Sequence, residues 1–326
     1  MTMSSKIDRN PLVSIIVITY NSSKYILETL ESAKAQLYHN IELIISDDCS
    51  TDNTLEICRK WIEENRARFI QCELLTVHKN TGIPSNCNRG IVASAGQYLK
   101  IIAGDDILLE NCIDLNLNCI NNKKGVRVLH SNAFEFYDSE FIDEKPKKLS
   151  NSCFFNIKIN AKQQFNYLIF DWPINASTLF FEKKIFDEFG LYNEDLKLED
   201  WSYLLNLTSK KVKIDYLDAY TTKYRIHKMS ITRIDSEKKL VNSFYLHQEE
   251  VFEKQLIKYL NWHEVLYFRY KFFRFDLIMN KTSNNENNLL LKIFYILLKT
   301  PDTFYGVLRK LLICIELFSL NFKQKR

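Results

Sequence analysis

The stretch LVSIIVITYN (12–21) decides the reading of the first half of the chain. Its β-branched residues run on without the polar alternation of a half-exposed strand, which predicts a strand buried on both faces. Tyr20 and Asn21 end it. Ile26, Leu30, Ala33 and Leu37 then recur at helical spacing. IELIIS (41–46) predicts a second buried strand. A helix follows, with Asp52 as its cap and Leu55, Cys58 and Trp61 or Ile62 on its apolar face. ELLTV (73–77), the turn-rich loop NTGIPSN (80–86), a short helix to about Ser94 and QYLKIIA (97–103) continue the alternation.

Strand–helix repetition implies a mostly parallel, Rossmann-like α/β sheet flanked by helices. Ligands of such sheets bind beyond the carboxyl ends of the strands. Three polar clusters fall there: Thr19-Tyr20-Asn21, Ser46-Asp47-Asp48-Cys49-Ser50 and Gly104-Asp105-Asp106.

The totals set the frame. The chain has 326 residues, 46% hydrophobic and 26% charged, enough for one large domain with an appendage or for two. A formal charge of +4 is too mild to imply a nucleic-acid partner. The eight cysteines include no CxxC pair and no zinc spacing, which points to a reducing compartment. MTMSSKIDRN carries no secretory pattern. No run reaches the roughly 18 apolar residues of a spanning helix.

The middle is more mixed. DSEFIDEKPKKLS (138–150) predicts a loop, ASTLFF (176–181) a strand, LKLEDWSYLLNL (196–207) a helix and VKIDYL (212–217) a strand. TTKYRIHKMSIT (221–232) has no clear period. From about 236 the chain reads as helical and aromatic, with an Asn-rich linker at 280–288.

Adjacent acids at a buried strand end repel unless a cation or a cap uses them. Asp105 and Asp106 could hold Mg²⁺ or Mn²⁺, which take one or two carboxylates plus phosphate oxygens. They could equally cap a helix from Leu108. Gly104 would let the backbone turn tightly beside them. Asp47 and Asp48 can accept bonds from a nucleobase imide or from ribose hydroxyls. The first strand is followed by neither a Walker loop nor GxGxxG, which argues against a P-loop NTPase and against a standard dinucleotide dehydrogenase.

VSIIVITYN (13–21), ELIISDDCSTDNT (42–54), NTGIPSNCNRGI (80–91), GQYLKIIAGDDIL (96–108) and LEDW (198–201) stand in the order seen in glycosyltransferase family 2, which the chain resembles over about 11–230. The resemblance implies the GT-A fold and an inverting transfer from a nucleotide-diphosphate sugar, UDP-linked above all, with Mg²⁺ or Mn²⁺. It implies that Thr19, Tyr20 and Asn21 lie along the nucleotide, that Asp48 contacts the base with Asp47 beside it, and that Asn80 adds a contact. Asp105 and Asp106 would meet the ribose and the metal, His227 in YRIHKMS would join the metal or diphosphate, and Asp200 would be the general base. Two positions depart from the family pattern. Ala103 replaces the first acid of Asp-x-Asp-Asp, and Cys87 precedes Asn88, leaving the role of Arg89 open.

The expected domains are a catalytic domain over 1–235, with a nucleotide half at about 11–106 and an acceptor half at 107–235, and a helical region over 236–326. Its apolar faces with single Lys and Arg residues could lie on a membrane or pack on protein. By resemblance the setting is the cytoplasmic face of a bacterial membrane, with a lipid-linked glycan acceptor of capsule or O-antigen synthesis. The competing readings are a sugar-nucleotide nucleotidyltransferase, which would want a basic Gly-rich loop where ITYNSSKY stands, and an inactive nucleotide-sugar-binding relative.

Overall fold

A computed structural model describes residues 10–137, 147–149, 159–227, 239–241, 244–284 and 288–323. In chain order the elements are β1 (Val13–Thr19), α1 (Ile26–Lys34), β2 (Ile41–Asp47), α2 (Thr54–Asn65), β3 (Gln71–Thr76), α3 (Ile83–Ala93), β4 (Tyr98–Ala103), β5 (Ile107–Leu108), α4 (Cys112–Asn122), β6 (Val128–Tyr137), β7 (Lys147–Leu149), α5 (Ala161–Leu168), β8 (Phe180–Glu182), α6 (Lys184–Phe189), α7 (Glu199–Ser209), β9 (Ile214–Ile226), α8 (Phe244–Val251), α9 (Trp262–Lys281) and α10 (Leu289–Lys323).

The sheet runs β3-β2-β1-β4-β8-β6-β9-β5, with β7 on β6. β3, β2, β1 and β4 are mutually parallel. β8 then pairs antiparallel with β4, and β6 with β8, so the sheet is mixed. The parallel strands come from the apolar runs at 13–19 and 41–46. Val13, Ile15, Val17, Ile41, Leu43 and Ile45 are sealed in one core with Ile26, Leu30 and Ala33 of α1. β3 is an edge strand, and none of its residues is fully buried.

The chain divides into two compact units, residues 1–151 with 173–225, and residues 152–172 with 226–326. The division therefore falls at 225, where the sequence reading put it at 235, and α5 joins the C-terminal unit. Aromatic packing explains that membership: Phe165 meets Tyr259 edge-on at 5.1 Å and Phe170 stacks on Phe268 at 5.6 Å.

Other differences have local causes. Leu37 lies beyond α1 and is 60% exposed. Ala176–Thr178 is a 3₁₀ turn, because the Asn175 side chain accepts from the N–H and hydroxyl of Ser177. TTKYRI, which has no clear period, is the end of β9, a 13-residue strand whose buried and exposed positions do not alternate strictly. Positions 228–232 lie outside the described residues. α10 runs through Pro301; nearby, the hydroxyls of Thr300 and Tyr270 donate to the carbonyls of Ile296 and Leu298.

Candidate active site

Strand register brings the three polar clusters together. Thr19 lies opposite Asp47 across β1–β2, and Ile18 opposite Ala103 across β1–β4. The carboxyl ends of β1, β2 and β4 are thus level, and the residues that follow them share one edge of the sheet.

The first two clusters are laced to each other. The Asp48 N–H donates to the Thr19 carbonyl at 2.9 Å. Asn21 has φ +50°, a left-handed conformation that asparagine tolerates better than most residues. That turns its N–H to the Ser50 hydroxyl and its side-chain oxygen to the Thr51 N–H, each at 2.8 Å. Both oxygens of Asp47 accept from Ser50, from its N–H and its hydroxyl. Tyr20 is 47% exposed beside them.

Asp48 is buried and accepts four bonds. Its Oδ2 takes the N–H groups of Thr81 (2.9 Å) and Gly82 (2.7 Å). Its Oδ1 takes the Thr81 hydroxyl (2.6 Å) and Arg89 Nη2 (3.1 Å). Asn80 is exposed, and its side-chain oxygen also accepts from Gly82. Arg89, whose role the sequence left open, further donates to Ser46 Oγ and Asn86 Oδ1. It is the strut between α3, the end of β2 and the 80–82 loop. Asp52 does not sit at the N-cap position. Asn53 does, without a side-chain bond, while Asp52 accepts from Thr54 and from the Ser23 N–H. Those bonds hold its pKa below the usual carboxylate value despite partial burial.

The third cluster is shaped by close approach. Gly104 does not have a left-handed backbone; a Cβ there would lie 2.9 Å from Thr19 Oγ1 and 3.1 Å from Ile26 Cδ1. Neither acid caps a helix, since Ile107–Leu108 form a strand on β9 and α4 begins only at Cys112. Asp106 is 2% exposed; its Oδ1 accepts the Arg225 N–H at 2.9 Å and its carbonyl accepts the Thr29 hydroxyl at 2.7 Å. Burial first, then the charge of Asp105, push its pKa well up, against the opposing pull of the Arg225 N–H and charge and of Lys100. Sequence reasoning missed Lys100. It is fully buried on β4 and donates to the carbonyls of Ser177 and Leu179.

Asp200 stands in the first turn of α7, 6% exposed, with Oδ1 accepting the Trp201 N–H at 2.7 Å. Its neighbour Glu199 is pushed up to about 8, by burial and then by the charge of Asp200. Adjacent carboxyls in one helical turn are unfavourable with both ionised, which is the direction of this shift. The thiol of Cys87 on α3 is raised well above its ordinary value by burial and by these two acids. α3 therefore serves two groups of residues. Asn86 and Arg89 brace the 80–82 loop, while Cys87 and Asn88 face the approach to α7, Asn88 bonding Tyr192 and Glu194.

The acid pair suits a divalent cation. Two adjacent carboxyls, one of them resisting ionisation, would be relieved by a positive ion, and Mg²⁺ or Mn²⁺ needs no more than one or two carboxylates when phosphate and water complete the shell. Among the described residues no three His, Cys, Asp or Glu side chains gather into a metal-holding group. Asp105 and Asp106 lie in the first unit and His227 in the second. His227 is buried and follows β9 as part of the second unit.

Residues 14–189 match the family model described as Glycosyl transferase family 2. The chain belongs to that family. As a family 2 glycosyltransferase it is 27% identical over 231 residues to glycosyltransferase GlyG of Streptococcus pneumoniae, covering 69% of this chain and 74% of GlyG. It is 30% identical over 224 residues to the Escherichia coli protein named UDP-Glc:alpha-D-GlcNAc-diphosphoundecaprenol beta-1,3-glucosyltransferase WfaP, covering 68% of this chain and 80% of WfaP. It spans only 40% and 32% of the length of two further curated relatives. Staphylococcus aureus TarS 1-349, solved in complex with UDP-GlcNAc, superposes with a TM-score of 0.55 at 18% identity, covering 90% of this chain and 79% of that one. That likeness shows the GT-A fold. The family and fold expected from the ordered motifs are borne out, and the enzyme is a glycosyltransferase.

Proposed function

We propose that this glycosyltransferase adds one sugar, from a UDP-sugar, to a hydroxyl of a lipid-linked glycan in the synthesis of a bacterial surface polysaccharide. One observation carries the reading: the level ends of β1, β2 and β4 bring Thr19–Asn21, Asp47–Ser50 and Gly104–Asp106 to one edge. A nucleotide diphosphate laid along that edge meets Thr19, Tyr20, Asn21, Asp47, Asp48 and Asn80 on its nucleoside side and Asp105 towards the ribose. UDP draws support from the TarS complex with UDP-GlcNAc and from the name of WfaP, which also states a diphosphoundecaprenol-linked acceptor.

Asp200 takes the proton of the acceptor hydroxyl as that oxygen attacks C1 of the sugar. The C1–O bond to the acceptor forms while the C1–O bond to the diphosphate breaks, on opposite faces, so the anomeric centre inverts. The Trp201 N–H holds the carboxylate in orientation. Asp105 and Asp106 would hold Mg²⁺ or Mn²⁺, which offsets the charge that the departing diphosphate gains. Asp200→Asn should lower transfer by about 10²–10⁴-fold and leave UDP binding within about twofold. Equal losses of both would refute the base role.

For a lipid-linked acceptor, α10 supplies the contact surface. Among the described residues no helix is long and apolar enough to cross a membrane. Tyr295 and Tyr305 of α10 turn to Arg274, His263 and Tyr267 of α9. Leu289, Ile293, Leu297 and Phe304, which recur at helical spacing, are exposed, and exposed Lys292 and Lys299 lie two turns apart. Such a face suits the anionic surface of a bilayer.

A further inference from the structure

The acid pair is gripped by a residue that none of the motifs assigned. Arg225 lies in β9 and is 5% exposed. Its N–H donates to Asp106 Oδ1 at 2.9 Å, and its Nε donates to the Asp105 carbonyl at 2.7 Å. The same side chain sends Nη2 to Glu28 Oε2 at 2.9 Å. Its guanidinium carbon lies 4.7 Å from the ring centre of Tyr25 and 4.5 Å from that of Phe136.

Each contact removes a different freedom. Two rings fix the guanidinium plane, and a planar fork has set donor directions. With the plane fixed by the rings and rotation within it fixed by Glu28, Nε points one way, at the peptide between the two acids. The backbone bond then sets the carboxylate of Asp106. α1, the 104–106 turn and β6 are tied at one point.

We propose that Arg225 is a positioning residue for the acid pair, and that Tyr25, Glu28 and Phe136 form its seat. Arg225 orders Asp105 and Asp106 for a metal-bound diphosphate before the donor arrives. The proposal rests on the reading of that pair as the diphosphate and metal site.

The obvious substitution is Arg225→Lys, which keeps the charge but loses the fork and the plane. Glu28→Gln is the second variant. Glu28 is largely exposed, so its loss spares the core. UDP binding to the full chain is measured by calorimetry across a Mn²⁺ titration and again in excess chelator, with Tm recorded for each variant. We expect Arg225→Lys to weaken Mn²⁺-dependent UDP binding by about tenfold or more, and Glu28→Gln by about threefold, with binding in chelator unchanged. A loss that is equal with and without Mn²⁺ and follows Tm would mean a merely structural role and overturn the proposal. So would Mn²⁺-dependent binding within twofold of wild type in both variants. If wild type binds UDP with no Mn²⁺ dependence, the diphosphate–metal reading itself falls, and the positioning role falls with it. If Arg225→Lys fails to fold, Glu28→Gln alone decides, by the same comparison.

Discussion

Asp48→Asn tests how the donor edge is braced. Oδ2 of Asp48 takes two backbone N–H groups, which cannot turn away, so the amide oxygen must stay on that side. The new NH₂ then faces the Thr81 hydroxyl, which can rotate to accept, and Arg89, which cannot. Breaking a buried ion pair by changing one partner costs about 3–5 kcal/mol. The Arg89 side chain keeps 20% of its exposure, so water relieves part of that, and we expect about 2–3 kcal/mol. Urea-dependent amide exchange at β1 and β2 reports the catalytic unit by itself and suits the measurement. The exchange of Thr81 and Gly82 should also speed up. Arg89→Gln made together with Asp48→Asn should cost at least about 1 kcal/mol less than the two single changes added. A loss below about 0.5 kcal/mol, or strict additivity of the pair, would refute the strut.

Further expectations concern other parts of the molecule. Gly104→Ala drives a methyl group against Thr19 and Ile26 and should cost about 1–3 kcal/mol in urea unfolding while weakening UDP binding. Glu199 has its pKa raised from an ordinary 4.5 to about 8, so its carboxyl favours folding below 4.5, loses that advantage as pH rises to about 8, and changes nothing above. Glu199→Gln should therefore flatten the pH dependence of stability across that window, by up to about 1.4 kcal/mol per pH unit, in unfolding measured from pH 4 to 9. Parallel curves for variant and wild type would contradict the raised pKa. Leu290→Glu and Phe304→Glu, at exposed positions of α10, should each reduce sedimentation with phosphatidylglycerol vesicles several-fold without changing Tm; unchanged sedimentation would mean that α10 faces protein.

Much of the catalytic unit is legible in its sequence because two signals agree there. The short, β-branched apolar runs at 13–19 and 41–46 read as strands buried on both faces, and the polar clusters after them fall where parallel sheets bind ligands. The antiparallel half was harder. β8 is three residues long, and most of β9 alternates too weakly to carry a period. Membership of 152–172 in the C-terminal unit depends on Phe165 and Phe170 finding partners about a hundred residues away, which no local pattern encodes. The same holds for Arg225 and Lys100. Their importance comes from what surrounds them, since a lone Arg or Lys in a sequence looks like any solvated charge.

Lys100 carries a consequence for chemical probing. Its amine is sealed in the sheet, burial lowers its pKa, and two carbonyls hold it. An amine-reactive label added to the folded enzyme should modify the surface lysines within minutes and leave this one bare. Only when β4 parts from the turn that leads into β8 does the nitrogen meet reagent. The extent of labelling at one peptide, read by mass spectrometry, then becomes an internal gauge of how often the centre of the sheet opens.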